Sequence, residues 1–412
     1  MNILFVHQNF PGQFPHLSAA LAARGHRVLA LTDAGNRRPA PEGVTVMRYR
    51  KPDEGAVGGP GLHRFHARAC ARGVSVARAA LVLRDRHGFV PDVIVGHPGW
   101  GETLFLRDVW PDARLIVYAE FHYASHGLDT DFDAEFQTDT PERRFAITAR
   151  QALWAQAMAQ ADAAISPTEW QAATFPPVFR PLITVAHDGI DTDRMAPDPG
   201  AALTLSPPDG PPVTLRAGDE VLTFVNRNIE PYRGAHIFLR ALPAVLAARP
   251  GARVVVPGGD GISYGTPPPG GGGWRAHLLA EAGDRLDLSR VHFPGRIPYA
   301  DFVRLMQVTR VHAYLTYPFV LSWSLLEAMA AGAHVIASDT GPVREVVTDG
   351  VTGDLVGFFD VPGWSAALTA ALATPRGFDD RRRAARALVR ARYDLARVCL
   401  PRLIALVEGA GG

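Results

Sequence analysis

The chain has 412 residues and a formal net charge of +1; 47% of its residues are hydrophobic and 20% are charged. That composition builds folded cores, excludes wholesale disorder, and gives no global electrostatic case for a nucleic-acid partner. Two cysteines, Cys70 and Cys399, exclude a disulfide framework and a cysteine-rich metal site, and no run of about 20 apolar residues is present to span a membrane.

At about 100–200 residues per domain, the length predicts two or three domains. Met1-Asn2-Ile3-Leu4-Phe5-Val6 lacks the basic leader and cleavage site of a signal peptide, so a reduced, cytoplasmic protein is expected. Of the 42 basic residues only Lys51 is a lysine, so chemistry open to either cation falls to arginine. Coding bias is the simplest cause.

Asn2–Val6 is a continuous apolar run, the pattern of a strand buried on both faces of a parallel sheet. A loop from His7 to Phe14 carries Pro11-Gly12, and a helix starts at about Pro15 and stops at Gly25. Strand Arg27–Thr32 completes a βαβ unit. The rhythm then repeats. Strand Val44–Tyr49, helix His63–Arg86, and strands Asp92–Gly96 and Arg114–Glu120 follow. Helix Pro141–Gln160 and strands Ala163–Ser166 and Ile183–Ala186 complete the first half. Alternation at this spacing predicts a doubly wound α/β sheet.

Ala196 to Glu220 breaks the rhythm with Pro, Gly and Asp; Pro207-Pro208-Asp209-Gly210 reads as a turn, and the segment as a linker or small hairpin. Alternation restarts with strand Val221–Val225, helix Ala235–Ala248 and strand Arg253–Val256. Gly258 to Gly273, with three prolines and four consecutive glycines, reads as a long flexible loop and a candidate lid. Strand Val291–Phe293, helix Tyr299–Gln307, strand Val311–Leu315, helix Ser324–Ala331 and strands His334–Ser338 and Asp354–Val356 follow. Asp379–Val407 reads as two helices. Six arginines crowd the first (Arg381, Arg382, Arg383, Arg386, Arg390, Arg392). A solvated face is favoured there over contact with anionic lipid at the inner face of a membrane.

The expected organisation is a Rossmann-like domain over 1–195, a connection over 196–220, a second Rossmann-like domain over 221–378 and helices over 379–412. Two such domains would face a cleft, since ligands sit outside the carboxyl ends of the strands in open α/β sheets.

The chemistry-bearing residues cluster at predicted strand ends. From Tyr317-Pro318-Phe319-Val320-Leu321-Ser322 the chain enters a helix, whose free N–H groups form an anion site. Glu327, in the turns beyond and among apolar neighbours, can accept hydrogen bonds from a sugar or ribose diol. Asn226-Arg227-Asn228-Ile229-Glu230-Pro231-Tyr232-Arg233-Gly234 places two guanidinium groups after a strand, where they can stabilise a departing diphosphate. In the first half, Glu120 and His122 follow one strand and His97 ends another; these are candidate acceptor-side or proton-handling groups. The loop after the first strand holds Gly12 alone rather than Gly-x-Gly-x-x-Gly, which argues against a dinucleotide-binding oxidoreductase. Asp129, Asp131 and Asp133 lack the glycine of a calcium hand, so no metal is expected.

Leu326-Glu327-Ala328-Met329-Ala330-Ala331-Gly332, then Val335-Ile336-Ala337-Ser338, Gly341, Glu345 and Asp349-Gly350-Val351-Thr352-Gly353 together resemble the family 4 glycosyltransferases of the GT-B fold. The resemblance covers the second domain well and reaches the first through Met1–Thr32 and Asp188-Gly189-Ile190-Asp191. It implies a retaining enzyme that moves a hexose from a UDP- or GDP-linked sugar to a saccharide or lipid-linked acceptor, with no cofactor. It implies ribose contact for Glu327 and leaving-group contact for Arg227 and Arg233, the latter standing where the family has lysine. Base contact falls to the turn at Arg296 and Ile297, and a functional histidine to His122. The resemblance also allows the last helix to cross back onto the first domain. The sequence departs from the family at Phe319, which occupies the place of the first of two glutamates eight positions apart. The contact with the donor sugar must then be remade, with Ser322, Ser324 and Tyr317 the nearest polar candidates; Trp323 is counted with the donor-binding residues, and the Gly12 loop is expected to approach the donor phosphates or the acceptor. A binding protein without transfer activity and a sugar epimerase of the same fold are the alternatives. A phosphorylase would need a lysine for pyridoxal phosphate, and Lys51 is poorly placed.

Overall fold

The computed structural model describes residues 1–52, 61–206 and 211–409, so the turn expected at Pro207–Gly210 lies outside the described residues. The chain divides into two units, Met1–Gly189 with Ala396–Gly412, and Ile190–Leu395.

The first unit holds a seven-stranded, fully parallel sheet built from β1 (Asn2–Val6), β2 (Arg27–Asp33), β3 (Thr45–Tyr49), β4 (Val93–Gly96), β5 (Arg114–Tyr118), β6 (Ala163–Ser166) and β7 (Ile183–Val185). Its order is β3-β2-β1-β4-β5-β6-β7. The period-2 geometry of a strand explains the apolar runs. On β1, Ile3 and Phe5 enter one core cluster while Leu4 and Val6 enter another. On β2, Val28 and Ala30 join Ile3 and Phe5, and Leu29 and Leu31 join the opposite cluster. Helices Gly61–His87 and Pro141–Gln160 cover one face. Helix Pro15–Ala23 covers the other, joined there by Leu403 and Val407 of the last helix, Leu400–Glu408. Glu408 fastens that helix. It accepts from Arg24 Nε at 2.7 Å and bonds His26 Nε2 at 2.8 Å, which together pull its carboxyl down to about 2.

The second unit repeats the plan with β10 (Val221–Thr223), β11 (Arg253–Val255), β12 (Val291–His292), β13 (Val311–Tyr314), β14 (His334–Ser338) and β15 (Asp354–Val356), in the parallel order β12-β11-β10-β13-β14-β15. The segment read as a linker forms an antiparallel hairpin of β8 (Ala202–Leu205) and β9 (Val213–Arg216), whose Leu203, Leu205 and Leu215 join the second unit's core. In each sheet the chain reverses direction of progression at its first strand, between β1 and β4 and between β10 and β13. Ligands of doubly wound sheets bind outside the carboxyl ends at that point.

Several expectations are corrected. Strand β5 ends at Tyr118, so Ala119 and Glu120 emerge from the sheet, and β10 ends at Thr223 before the ladder turns irregular. Helices Trp274–Ala282 and Val361–Ala373, and the shorter Leu106–Val109, Glu169–Ala173 and Gly341–Arg344, fall where none was expected. The segment from Gly258 to Gly273 is tied down at Ser263, Tyr264, Gly265 and Thr266 rather than free. The arginine-dense helix Asp379–Arg392 does not turn its whole basic set outward. Arg381 pairs with Asp354, Arg382 donates to the carbonyl oxygens of Pro375 and Arg310, and Arg386 donates to those of Met195, Thr192 and Ala330. Among the described residues no helix is long and apolar enough to cross a membrane.

Candidate functional site

In the second unit the two strands at the reversal point carry the predicted residues. After β10 the chain runs irregularly through Asn226 and Arg227 to Gly234, and after β13 through Thr316 to the helix Trp323–Ala331. Arg233 links the two. It is only 7% exposed, and its Nη1 donates to Thr316 Oγ1 at 2.7 Å and to Val320 O at 2.8 Å. No carboxylate pairs with it among the described residues. Its neighbours are rings instead: the guanidinium carbon lies 5.3 Å from the centre of Tyr264 and 5.5 Å from that of Phe319. Phe319 is itself buried, against Tyr232 at 5.1 Å and Tyr264 at 4.8 Å. Among the described residues the buried cation thus faces an aromatic ring at Phe319 and no carboxylate, and it is held by two neutral acceptors and π-faces. Arg227 is exposed and makes no side-chain hydrogen bond or ion pair among the described residues.

Gly234 makes this approach possible. Its φ is 73°, and a Cβ there would lie 2.3 Å from Leu315 Cβ. Gly234→Ala should therefore cost about 2–4 kcal/mol, from left-handed strain plus overpacking against Leu315. A urea titration with an unchanged midpoint would contradict that.

Ser322 precedes the helix Trp323–Ala331, and no side chain caps that start. Its backbone N–H donates to Tyr314 Oη at 2.8 Å, and its Oγ lies 3.1 Å from Ser324 Oγ. Ser324 is buried, whereas Trp323 is 37% exposed. Glu327, one turn on, is 7% exposed, and burial raises its carboxyl to about 7, against the opposing hydrogen bond that Tyr299 Oη donates to Oε1 at 2.9 Å. Tyr299 stands one residue beyond the turn of Arg296 and Ile297, so Glu327 and that turn are neighbours. Arg296 Nη2 reaches Asn228 Oδ1 at 3.4 Å, beside Arg227, whereas Ile297 packs against the core. Tyr317 is buried, with its ring tilted against that of Tyr232 at 4.7 Å. The geometry therefore gathers Arg233, Phe319, Tyr317 and Val320 in one cluster and Glu327 with Tyr299 in another, with Ser322 to Ser324 in the chain between.

Sequence reasoning missed Glu230, Tyr264, Thr316 and Tyr299. The Arg227-x-x-Glu230-x-x-Arg233 spacing was the available signal for the first; the other three are brought in by tertiary structure alone.

In the first unit, Glu120 stands between two groups: Gln13 Nε2 donates to Oε1 at 3.0 Å, and His97 Nε2 lies 3.4 Å from Oε2. His97 stacks on Trp100 at 4.7 Å and meets the His7 ring at 5.4 Å, across the reversal point of that sheet. Gly12, at φ 54°, packs on His7; a Cβ there would come within 2.7 Å of the ring. The structure thus groups Glu120, His97 and Gly12. His122 lies against Phe175 at 5.5 Å, with its backbone N–H on Thr174 Oγ1, and burial lowers its imidazole pKa. Glu102, fully buried beside this group and raised to about 7 by burial, was not foreseen.

Residues 24–195 match the Glycosyl transferase family 4 group, and residues 211–388 match Glycosyl transferases group 1. The chain belongs to the GT-B glycosyltransferases. Its relatives include the D-inositol 3-phosphate glycosyltransferase of Mycobacterium marinum, 29% identical over 78% of this chain and 64% of the relative. That of Mycobacterium ulcerans is 32% identical over 47% of this chain and 38% of the relative. The chain thus spans less than two-thirds of the length of either. Among solved structures, this GT-B chain is similar to sucrose-phosphate synthase from Thermosynechococcus elongatus, with a TM-score of 0.72 and 17% identity over 100% of both chains. Anabaena HepE in complex with UDP and glucose gives a TM-score of 0.64 at 16% identity, over 100% of this chain and 99% of that one.

Proposed function

We propose that this protein is a retaining glycosyltransferase that moves a hexose from a nucleotide diphosphate sugar to a saccharide or lipid-linked acceptor. One observation carries the reading: a buried guanidinium with no carboxylate partner among the described residues, Arg233, bridges the two strand ends at the reversal point of the second sheet. Such a cation is fixed in place before the ligand arrives, which is the condition for stabilising charge as it develops. Arg227, exposed and unpaired among the described residues, supplies a second charge from the same loop.

In the proposed step the bond between the anomeric carbon and the diphosphate oxygen breaks, and its electron pair stays on the diphosphate. Arg227, Arg233 and the uncapped start of helix Trp323–Ala331 stabilise that charge. The acceptor oxygen bonds to the anomeric carbon on the face the diphosphate leaves, and its proton passes to the departing phosphate. Glu327 holds the ribose hydroxyls. Glu120, steadied by Gln13 and His97, is the group proposed for the acceptor. A UDP-linked donor is the first choice, supported by the UDP and glucose bound in the similar HepE structure.

A thermal-shift panel of UDP, GDP, ADP and their sugars tests the reading. At a ligand concentration of about 100 times Kd, binding adds about 2.7 kcal/mol, an upward shift of several degrees. Selective stabilisation by one nucleoside diphosphate is expected. Equal, negligible shifts across the panel would contradict it. Release of the free nucleotide only when acceptor is added separates transfer from mere binding and from epimerisation.

A further inference from the structure

Glu230 stands midway between the two arginines and is fully buried. Its Oε2 accepts three successive backbone N–H groups, from Ser263 at 3.3 Å, Tyr264 at 3.3 Å and Gly265 at 3.2 Å. Its Oε1 is equally buried and accepts no hydrogen bond among the described residues. Convergent backbone N–H groups form a concavity that attracts an anion; here the protein's own carboxylate fills it. The loop so held is the one that carries Tyr264 over the Arg233 guanidinium. Asn228, two residues before Glu230, adds a second tie, donating from Nδ2 to Ser263 Oγ at 2.7 Å. Backbone bonds add a third, with Gly259 N–H donating to Arg227 O and Ile229 N–H to Gly259 O.

A buried carboxylate is a costly way to fasten a surface loop, since glycine- and proline-rich segments close with turns of their own. It makes physical sense where the loop must hold one position against a cation. We propose that Glu230 is a positioning residue for the donor site: by anchoring Ser263 to Gly265 it sets the Tyr264 ring against Arg233 and so fixes the guanidinium that receives the diphosphate. The proposal rests on the donor-site reading above, and it extends that reading to a residue and a loop that touch the ligand only through Arg233.

The test combines hydrogen exchange with UDP titration, or GDP titration where GDP is the nucleotide that binds, in the full chain. In Glu230→Ala, exchange at 263–265 should accelerate about ten-fold or more while the strands of the same sheet stay protected. Nucleotide Kd should rise about ten-fold, and kcat should fall about ten-fold or more, because the displaced guanidinium stabilises charge that develops only in the transition state. Glu230→Gln keeps one accepting oxygen without the charge and should fall between the two; it also serves if the alanine variant does not fold. Tyr264→Ala should weaken binding similarly, and the double variant should be little worse than either single one, because both remove the same arrangement. Unchanged exchange at 263–265, uniform acceleration across the whole unit, or effects of the two substitutions that simply multiply would each overturn the proposal. Failure of the wild-type chain to bind any nucleotide would instead overturn the donor-site reading, while the exchange arm still decides whether Glu230 holds the loop.

Discussion

Arg233→Ala should lower kcat/KM for glycosyl transfer by about 10²–10³-fold, the cost of removing one preorganised group that stabilises developing charge. The reasoning is geometric. Thr316 Oγ1 and Val320 O hold the guanidinium from one side, the rings of Tyr264 and Phe319 flank it, and no protein carboxylate competes for its charge among the described residues. Arg233→Lys keeps the charge but loses the planar fork, so it should recover only part of the activity. Melting curves of both variants separate this from misfolding, because a lysine variant that melts near the wild type yet turns over slowly isolates the loss of geometry. Rates within about two-fold of wild type for both variants would remove Arg233 from the reaction.

Glu327→Gln should weaken nucleotide-sugar binding by about 10- to 100-fold, since hydrogen bonds to an ionised acceptor contribute about 1.5–3 kcal/mol each. The same residue predicts a pH dependence. Burial raises its carboxyl to about 7 in the ligand-free protein. Ionised carboxylate then grows about ten-fold between pH 6 and pH 8, and affinity for a nucleotide sugar, whose phosphate diesters do not titrate in that range, should grow with it. The glutamine variant should show a flat profile. Stability runs the other way. A carboxyl whose folded pKa lies above its unfolded value binds protons more tightly when folded. Its favourable contribution is therefore complete at low pH and is lost as pH rises from the unfolded value of 4.5 to about 7. The loss is on the order of 3 kcal/mol, and Glu327→Gln should be spared it. An identical pH profile of affinity in wild type and variant would contradict the assignment.

The doubly wound plan was legible because strands buried on both faces leave continuous apolar runs, as Ile3 to Val6 do, feeding two cores from alternate positions. Helix Val361–Ala373 was hidden by Pro362 and Gly363 near its start, although Asp360 caps it through Oδ1 on the Gly363 N–H at 2.9 Å and proline suits a first turn. Helix Trp274–Ala282 was masked by the glycine run before it. The loop from Gly258 to Gly273 looked free because composition reports only local preference. What holds it is a carboxylate some thirty positions upstream, and such pairing leaves no local trace. The tail arginines misled for a related reason: Arg382 and Arg386 donate to backbone carbonyls, and any sequence can supply those.

For the candidate site, strand-end position and the family resemblance singled out Arg227, Arg233 and Glu327. They could not disclose that Thr316 and Val320 would hold Arg233, or that Tyr299 would reach Glu327. Both depend on the parallel order that puts β13 beside β10 and on the short path from Arg296 to Tyr299. Phe319 itself was visible in the sequence; that its ring would face a buried cation was not.

The most direct test is a crystal structure with the best-stabilising nucleoside diphosphate soaked in. The account predicts both phosphates against Arg227 and Arg233 and the ribose hydroxyls on Glu327. A well-ordered nucleotide bound elsewhere, with those three side chains making no contact to it, would contradict the account at its root.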